Sequence, residues 1–145
     1  MKQLPDFNDS LSGLMLERGL TIEMLSKAIG VSVATICYWR LGKHALSLHN
    51  ALKLCDFFDC SLEFLIGRSD TRLAYTPQIC PPFFDRLKNV MALYNKTEYR
   101  MVKDLQLSRS VFFRWKTGGN PLIDTLIKIT KYFDCTLDFL VGRDR

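Results

Sequence analysis

Apolar residues recur along the chain with helical spacing. Phe7, Leu11, Leu14 and Met15 fall at i, i+4, i+7 and i+8, which is one face of an opening helix. Gly19 follows, and Thr21 is placed to cap a second helix carrying Ile22, Leu25 and Ile29, which Gly30 ends by taking the left-handed conformation. Ser32 caps a third helix with Ile36 and Trp39 inward, closing at Gly42. Leu48, Ala51, Leu52, Cys55 and Phe58 stripe a fourth, and Ser61 caps a short fifth, Leu62 to Ile66, ending at Gly67. The pattern then recurs: Phe84, Leu87, Val90 and Met91, then Thr97 to Leu105, Ser108 to Lys116, Ile123 to Phe133 and Leu137 to Val141. Nothing alternates with the two-residue period of a strand, so both halves are predicted to be all-α.

The recurrence is a true internal repeat. The segment from Phe58 to Arg68, FDCSLEFLIGR, returns from Phe133 to Arg143 as FDCTLDFLVGR, identical at eight of eleven positions. Earlier, the run from Ile36 to Gly42 matches that from Phe112 to Gly118, tryptophan aligned on tryptophan. A period of this length means stacked or tandem copies of one unit. The reading is a first domain over 1–68, a linker over 69–82 and a second domain over 83–145, five helices each. Pro77, Pro81 and Pro82 fall in or at the end of the linker. Proline lacks an amide donor and disfavours helix in the residue before it, so the stretch reads as extended. Fifteen residues from Arg68 to Pro82 span at most ~50 Å, less if the segment docks.

Charge separates the halves. Residues 1–72 hold eight basic and eight acidic side chains, whereas residues 73–145 hold twelve basic and seven acidic ones, so the whole net charge of +5 belongs to the second half. A basic excess suits a polyanionic partner. The five cysteines are odd in number and none shows C-x-x-C spacing, which argues against a disulfide framework or a zinc site. Cys60 and Cys135 take equivalent repeat positions that suit a small buried residue. His44 and His49 have no carboxylate or thiol at ligand spacing. No paired carboxylates, nucleophile elbow, phosphate-binding loop or Cys/His dyad is present, so the sequence predicts neither an enzyme nor a cofactor. No run approaches the roughly 18 apolar residues of a membrane span, and the N-terminal stretch lacks a signal-peptide core. The chain reads as cytoplasmic.

The run from Thr21 to Gly42, TIEMLSKAIGVSVATICYWRLG, resembles the lambda-repressor/Cro-like helix-turn-helix family, also called the XRE family. That family shows a Ser/Thr cap, a Leu four residues on, a Gly-Val-Ser turn, and Ile and Trp on the inner face of the next helix. The resemblance extends over both units and implies two tandem DNA-binding domains. Physically, a short helix, a tight turn and a second capped helix footed on Ile36 and Trp39 leave the second helix free to enter a major groove about 12 Å wide. The resemblance implies that the caps Thr21, Ser32, Thr97 and Ser108 hold helix ends against phosphate, and that the first exposed positions of the second helix read bases.

In the second unit those positions are Arg109, Ser110, Phe113 and Arg114, with Lys116 just beyond. Arginine bonds guanine O6 and N7 in bidentate fashion, and phenylalanine can meet a thymine methyl. In the first unit they are Val33, Ala34, Cys37 and Tyr38, with Thr35 beside them and Arg40 and Lys43 for phosphate. Ile22 and Glu98 stand where the family often has Gln, and Gln106 where the turn glycine is expected. Glu98 would oppose a phosphate. The bland alternative for the second unit is a solvated basic face with one exposed aromatic. The function implied is a sequence-specific regulator on double-stranded DNA, its basic second unit making most of the contacts. The alternative is a protein-interaction module in which the apolar face of the first unit binds a protein partner or a second copy of the chain.

Overall fold

The computed structural model describes residues 5–43 and 45–145; His44, weighed above as a metal ligand, lies outside them. The described residues form ten helices: α1 Pro5–Glu17, α2 Ile22–Ile29, α3 Val33–Arg40, α4 Leu48–Phe58, α5 Leu62–Leu65, α6 Phe83–Leu93, α7 Glu98–Leu105, α8 Arg109–Lys116, α9 Ile123–Phe133 and α10 Leu137–Val141. The chain divides into one compact unit running to Ala74 and including Leu122–Asp124, and a second made of Tyr75–Pro121 and Thr125–Arg145. None of the described helices is long and apolar enough to cross a membrane.

Side-chain caps explain why the helices begin where they do. Thr21, Ser32, Ser47, Ser61, Thr97, Ser108 and Thr136 each sit in extended backbone, and each side-chain oxygen accepts the amide three residues on. Each such cap contributes about 1 kcal/mol relative to alanine. The helix ends are less uniform. Gly30 takes φ 70° after α2, whereas its repeat counterpart Gln106 adopts φ 55° after α7. A non-glycine residue there carries a left-handed strain of about 1–2 kcal/mol.

In the first unit Phe7, Leu11, Leu14 and Met15 of α1 are buried with Leu25, Ile29, Ile36, Trp39, Leu54, Phe58, Leu62 and Leu65. Phe7 stands edge-on to Trp39 at 6.1 Å between ring centroids. The second unit repeats the arrangement: Phe83 stands edge-on to Trp115 at 5.3 Å, over a core of Leu87, Val90, Met101, Phe112, Leu126, Ile129 and Leu140. Each of these large side chains contributes about 1.5–3 kcal/mol through burial. Two sequence expectations need correction. Leu54, not Leu52, is the fully buried leucine of α4, and Leu52 is half-buried. Cys60 is buried but Cys135 is half-buried, so the two copies do not bury that thiol equally.

The repeated Gly-Arg after the last helix has a steric cause. Gly67 and Gly142 take φ 83° and 86°. A Cβ on Gly67 would lie 2.2 Å from Asp6 Cβ, and one on Gly142 2.9 Å from Pro81 Cδ. In both units the chain entering the first helix crosses this glycine, and only a residue without a side chain leaves room.

The stretch read as a linker contains no helix, as its prolines predict, but it is held down on both sides. Arg72 pairs with Glu17 at 2.8 Å, and its carbonyl accepts the Ser61 amide at 2.7 Å. Farther on, the Gln78 amide donates to the Arg143 carbonyl at 2.9 Å, and Arg145 donates to the Ile79 carbonyl at 2.9 Å. The Tyr75 hydroxyl donates to Asp138, which also pairs with Arg143 at 3.5 Å in a fully enclosed position. Burial first, and the Asp138 carboxylate second, push the Tyr75 phenol far above its ordinary value.

Candidate nucleic-acid interface

Each unit builds the same two-helix element. In the first, the Gly30 amide donates to the Ser26 carbonyl at 2.9 Å and the Ser26 hydroxyl donates to the Val31 carbonyl at 2.6 Å, fixing the turn between α2 and α3. In the second, the Leu107 amide donates to the Val102 carbonyl at 3.0 Å and Gln106 supplies the left-handed residue. The inner faces are closed: Ile36 and Trp39 of α3, and Phe112 and Trp115 of α8, are all buried. The outer faces of α3 and α8 are consequently turned to solvent.

On α8 that face carries Arg109, Ser110, Phe113, Arg114 and Lys116, every one exposed. The guanidinium groups of Arg109 and Arg114 make no ion pair or hydrogen bond among the described residues, so their fork of donors is available to an outside acceptor. Lys116 is different. Its ammonium pairs with Glu98 at 2.6 Å and lies 5.7 Å from the centre of the Phe112 ring. The carboxylate that would oppose a phosphate at the start of α7 is thus met by a cation from the end of α8. The caps Thr97 and Ser108 accept the amides of Arg100 and Val111 at 3.1 and 3.2 Å, which satisfies one orphan donor of each helix.

On α3 the aligned face is apolar. Val33, Ala34 and Tyr38 are exposed, and Cys37 and Thr35 are half-buried. Thr35 is also occupied, its hydroxyl lying 2.8 Å from that of the cap Ser32. Thr21 caps α2 through the Met24 amide at 3.1 Å. Arg40 reaches back to the Ser12 hydroxyl at 3.4 Å, while Lys43 is exposed beyond the helix. The structure therefore brings all the sequence-predicted positions of α8 onto one exposed surface. On both helices one hydroxyl of that face is engaged with the cap, Thr35 with Ser32 and Ser110 with Ser108 at 3.2 Å, so the two faces differ chiefly in Arg109 and Arg114.

One feature of this surface has no counterpart among the predicted residues. A cleft of about 760 Å³ opens between α7 and α8, lined by Glu98, Tyr99, Val102, Lys103, Arg109, Phe112, Phe113 and Lys116. Tyr99 and Lys103 were not singled out by the sequence pattern. Aligning the copies marks Tyr99, which stands where the first unit has Glu23, but not Lys103, which stands where it has Lys27.

Two capped helices set around a tight turn, with an inward aromatic and an outward reading helix, define the helix-turn-helix class of DNA-binding proteins. Residues 13–65 match the helix-turn-helix family and residues 86–142 match the Cro/C1-type HTH DNA-binding domain. The chain belongs to this family as two tandem XRE-like helix-turn-helix domains. No curated protein and no solved structure matches it.

Proposed function

We propose that the chain is a sequence-specific transcriptional regulator in which the second unit makes most of the contacts to duplex DNA. The observation that supports this reading is the outer face of α8, where a serine, a phenylalanine and two arginines with no ion pair among the described residues stand exposed on the outward helix of the second helix-turn-helix element. Arg109 and Arg114 have the geometry for guanine edges, Ser110 for a base or a phosphate, and Phe113 for a thymine methyl. The amides at the starts of α7 and α8, beside Thr97 and Ser108, suit backbone phosphates. In the first unit Thr21, Ser32, Arg40 and Lys43 add phosphate contacts. Selection of bound sequences from random duplex DNA tests the proposal. It predicts one strong half-motif with a weaker one about ten base pairs away, and absence of any enriched motif contradicts it.

A second reading is favoured by a separate observation. The exposed face of the first unit includes Val33, Tyr38 and Leu41, at 39%, 50% and 61% exposure. Such a cluster on a reading helix suits a protein partner or a second copy of the chain better than a phosphate backbone. In that case the first unit assembles the regulator while the second reads DNA. Val33→Glu then lowers the sedimentation mass of the complex and leaves the selected half-motif unchanged.

A further inference from the structure

We propose that the cleft between α7 and α8 is a binding site for a planar aromatic carboxylate, and that its occupancy competes with DNA. The second half of this rests on the DNA-reading role given to α8; the first does not. The cleft's volume, about 760 Å³, is in the range of small-molecule sites, and its lining joins three aromatic rings and Val102 to four charged side chains. Of the rings that line it, Phe112 is buried, while Tyr99 and Phe113 are 70% and 64% exposed. Exposed rings gain free energy when an aromatic partner packs on them in an offset-stacked or edge-on contact.

The charges select the partner's sign. Lys103, Arg109 and Lys116 line the cleft with a single carboxylate, Glu98, and Glu98 is already taken by Lys116 at 2.6 Å. Lys103 lies 5.9 Å from the centre of the Tyr99 ring. Arg109 has no ion pair among the described residues, and its planar fork matches a carboxylate through two parallel hydrogen bonds. An inorganic anion would use the cations and leave the rings unstacked, while an aromatic cation would be repelled by Lys103 and Arg109. A flat ring bearing one carboxylate satisfies both halves of the lining.

The repeat supplies an independent argument. The first unit folds the same two-helix element with Glu23 in place of Tyr99, Cys37 in place of Phe113 and Val33 in place of Arg109. The element therefore does not need those rings or that cation to fold. They are the features that make the cleft, and Arg109 and Phe113 are also the side chains assigned to base edges, so ligand and DNA cannot both hold them.

The test titrates 2-naphthoate into the full chain at constant ionic strength, followed by amide NMR shifts and by release of a fluorescent duplex. The proposal expects saturable shifts confined to α7 and α8, with a dissociation constant on the order of 1 mM or tighter, and release of the duplex over the same range. Arg109→Gln should weaken 2-naphthoate about tenfold and the neutral 2-naphthamide much less, while Phe113→Ala should weaken both. Helical circular dichroism checks that both variants fold. Shifts of equal size in α2 and α3, or none that saturate, overturn the site. Saturable binding with the duplex still held overturns the competition. If the chain binds 2-naphthoate but no duplex at all, the site stands, and both the competition and the DNA-reading role fall.

Discussion

At four aligned positions of the outward helix the first unit presents Val33, Ala34, Cys37 and Tyr38, and the second presents Arg109, Ser110, Phe113 and Arg114. The residues beneath them scarcely differ. Ser32 and Ser108 cap the two helices with the same 3.2 Å bond, and Trp39 and Trp115 are buried behind them against Phe7 and Phe83. The comparison separates two kinds of constraint within eight residues. Positions facing inward and positions starting the helix are fixed by packing and by orphan amides. Positions facing outward contribute almost nothing to stability and are free to differ between copies. Inward the exchange is apolar for apolar, Ile36 for Phe112, whereas outward it changes charge and polarity, which points to a difference in what is bound.

The comparison of scaffolds breaks most visibly at the crossing glycines. Gly67→Ala and Gly142→Ala should each destabilise their own unit by about 2 kcal/mol or more, from left-handed strain plus steric overlap. The first should cost more, because its nearest contact is tighter, 2.2 Å against 2.9 Å. Residue-resolved hydrogen exchange gives the two units separate values. A neutral effect at either position would show that the copies do not share this element.

A smaller effect concerns alkaline stability, where the units should part. Tyr75 is raised by burial and by Asp138, and Tyr132 chiefly by its 2.5 Å hydrogen bond to Asp104; both belong to the second unit. A phenol whose folded value lies above its ordinary value near 10 gives stability that is complete below that pH and lost as pH rises past it. The second unit should accordingly lose protection above about pH 10, and Tyr75→Phe with Tyr132→Phe should flatten that loss. An unchanged alkaline limb in the double variant would contradict the assignment.

Smallest is the turn. Gln106→Gly, which copies Gly30 into the second unit, should stabilise α7–α8 by no more than about 1 kcal/mol, relief of strain being offset by greater freedom of the unfolded chain. A loss of stability would mean that the Gln106 side chain makes a contact that outweighs its backbone strain.

The scaffold was legible because it is local. The caps at Thr21, Ser32 and Ser61, and the stripes from Phe7 to Met15 and from Leu87 to Met91, rest on periodicity and on side-chain oxygens one turn from their amides. The choice between Leu52 and Leu54 was not, since both lie near the edge of one helical stripe and packing against neighbouring helices decides between them. Docking of residues 72–79 was equally hidden. It depends on the carbonyls of Arg72, Ile79 and Arg143, and main-chain acceptors leave no mark on sequence. The positions of α8 named from the family resemblance are exposed, whereas the cleft beside them needed Tyr99 on α7 to be set against Phe113 on α8, a relation only the fold supplies.

The central claim is that α8, and not α3, discriminates among DNA sequences. The direct measurement is the ratio of affinities for a selected duplex and its scrambled counterpart, at fixed salt. It is taken on the unaltered chain, on Arg109→Ala/Arg114→Ala and on Arg40→Ala/Lys43→Ala. The account predicts that the second-unit pair collapses the ratio by about two orders of magnitude. The first-unit pair should weaken both duplexes alike and lower the salt slope by about 1 for each lost phosphate contact. A ratio that survives loss of Arg109 and Arg114, or one that falls with Arg40 and Lys43 instead, would contradict it.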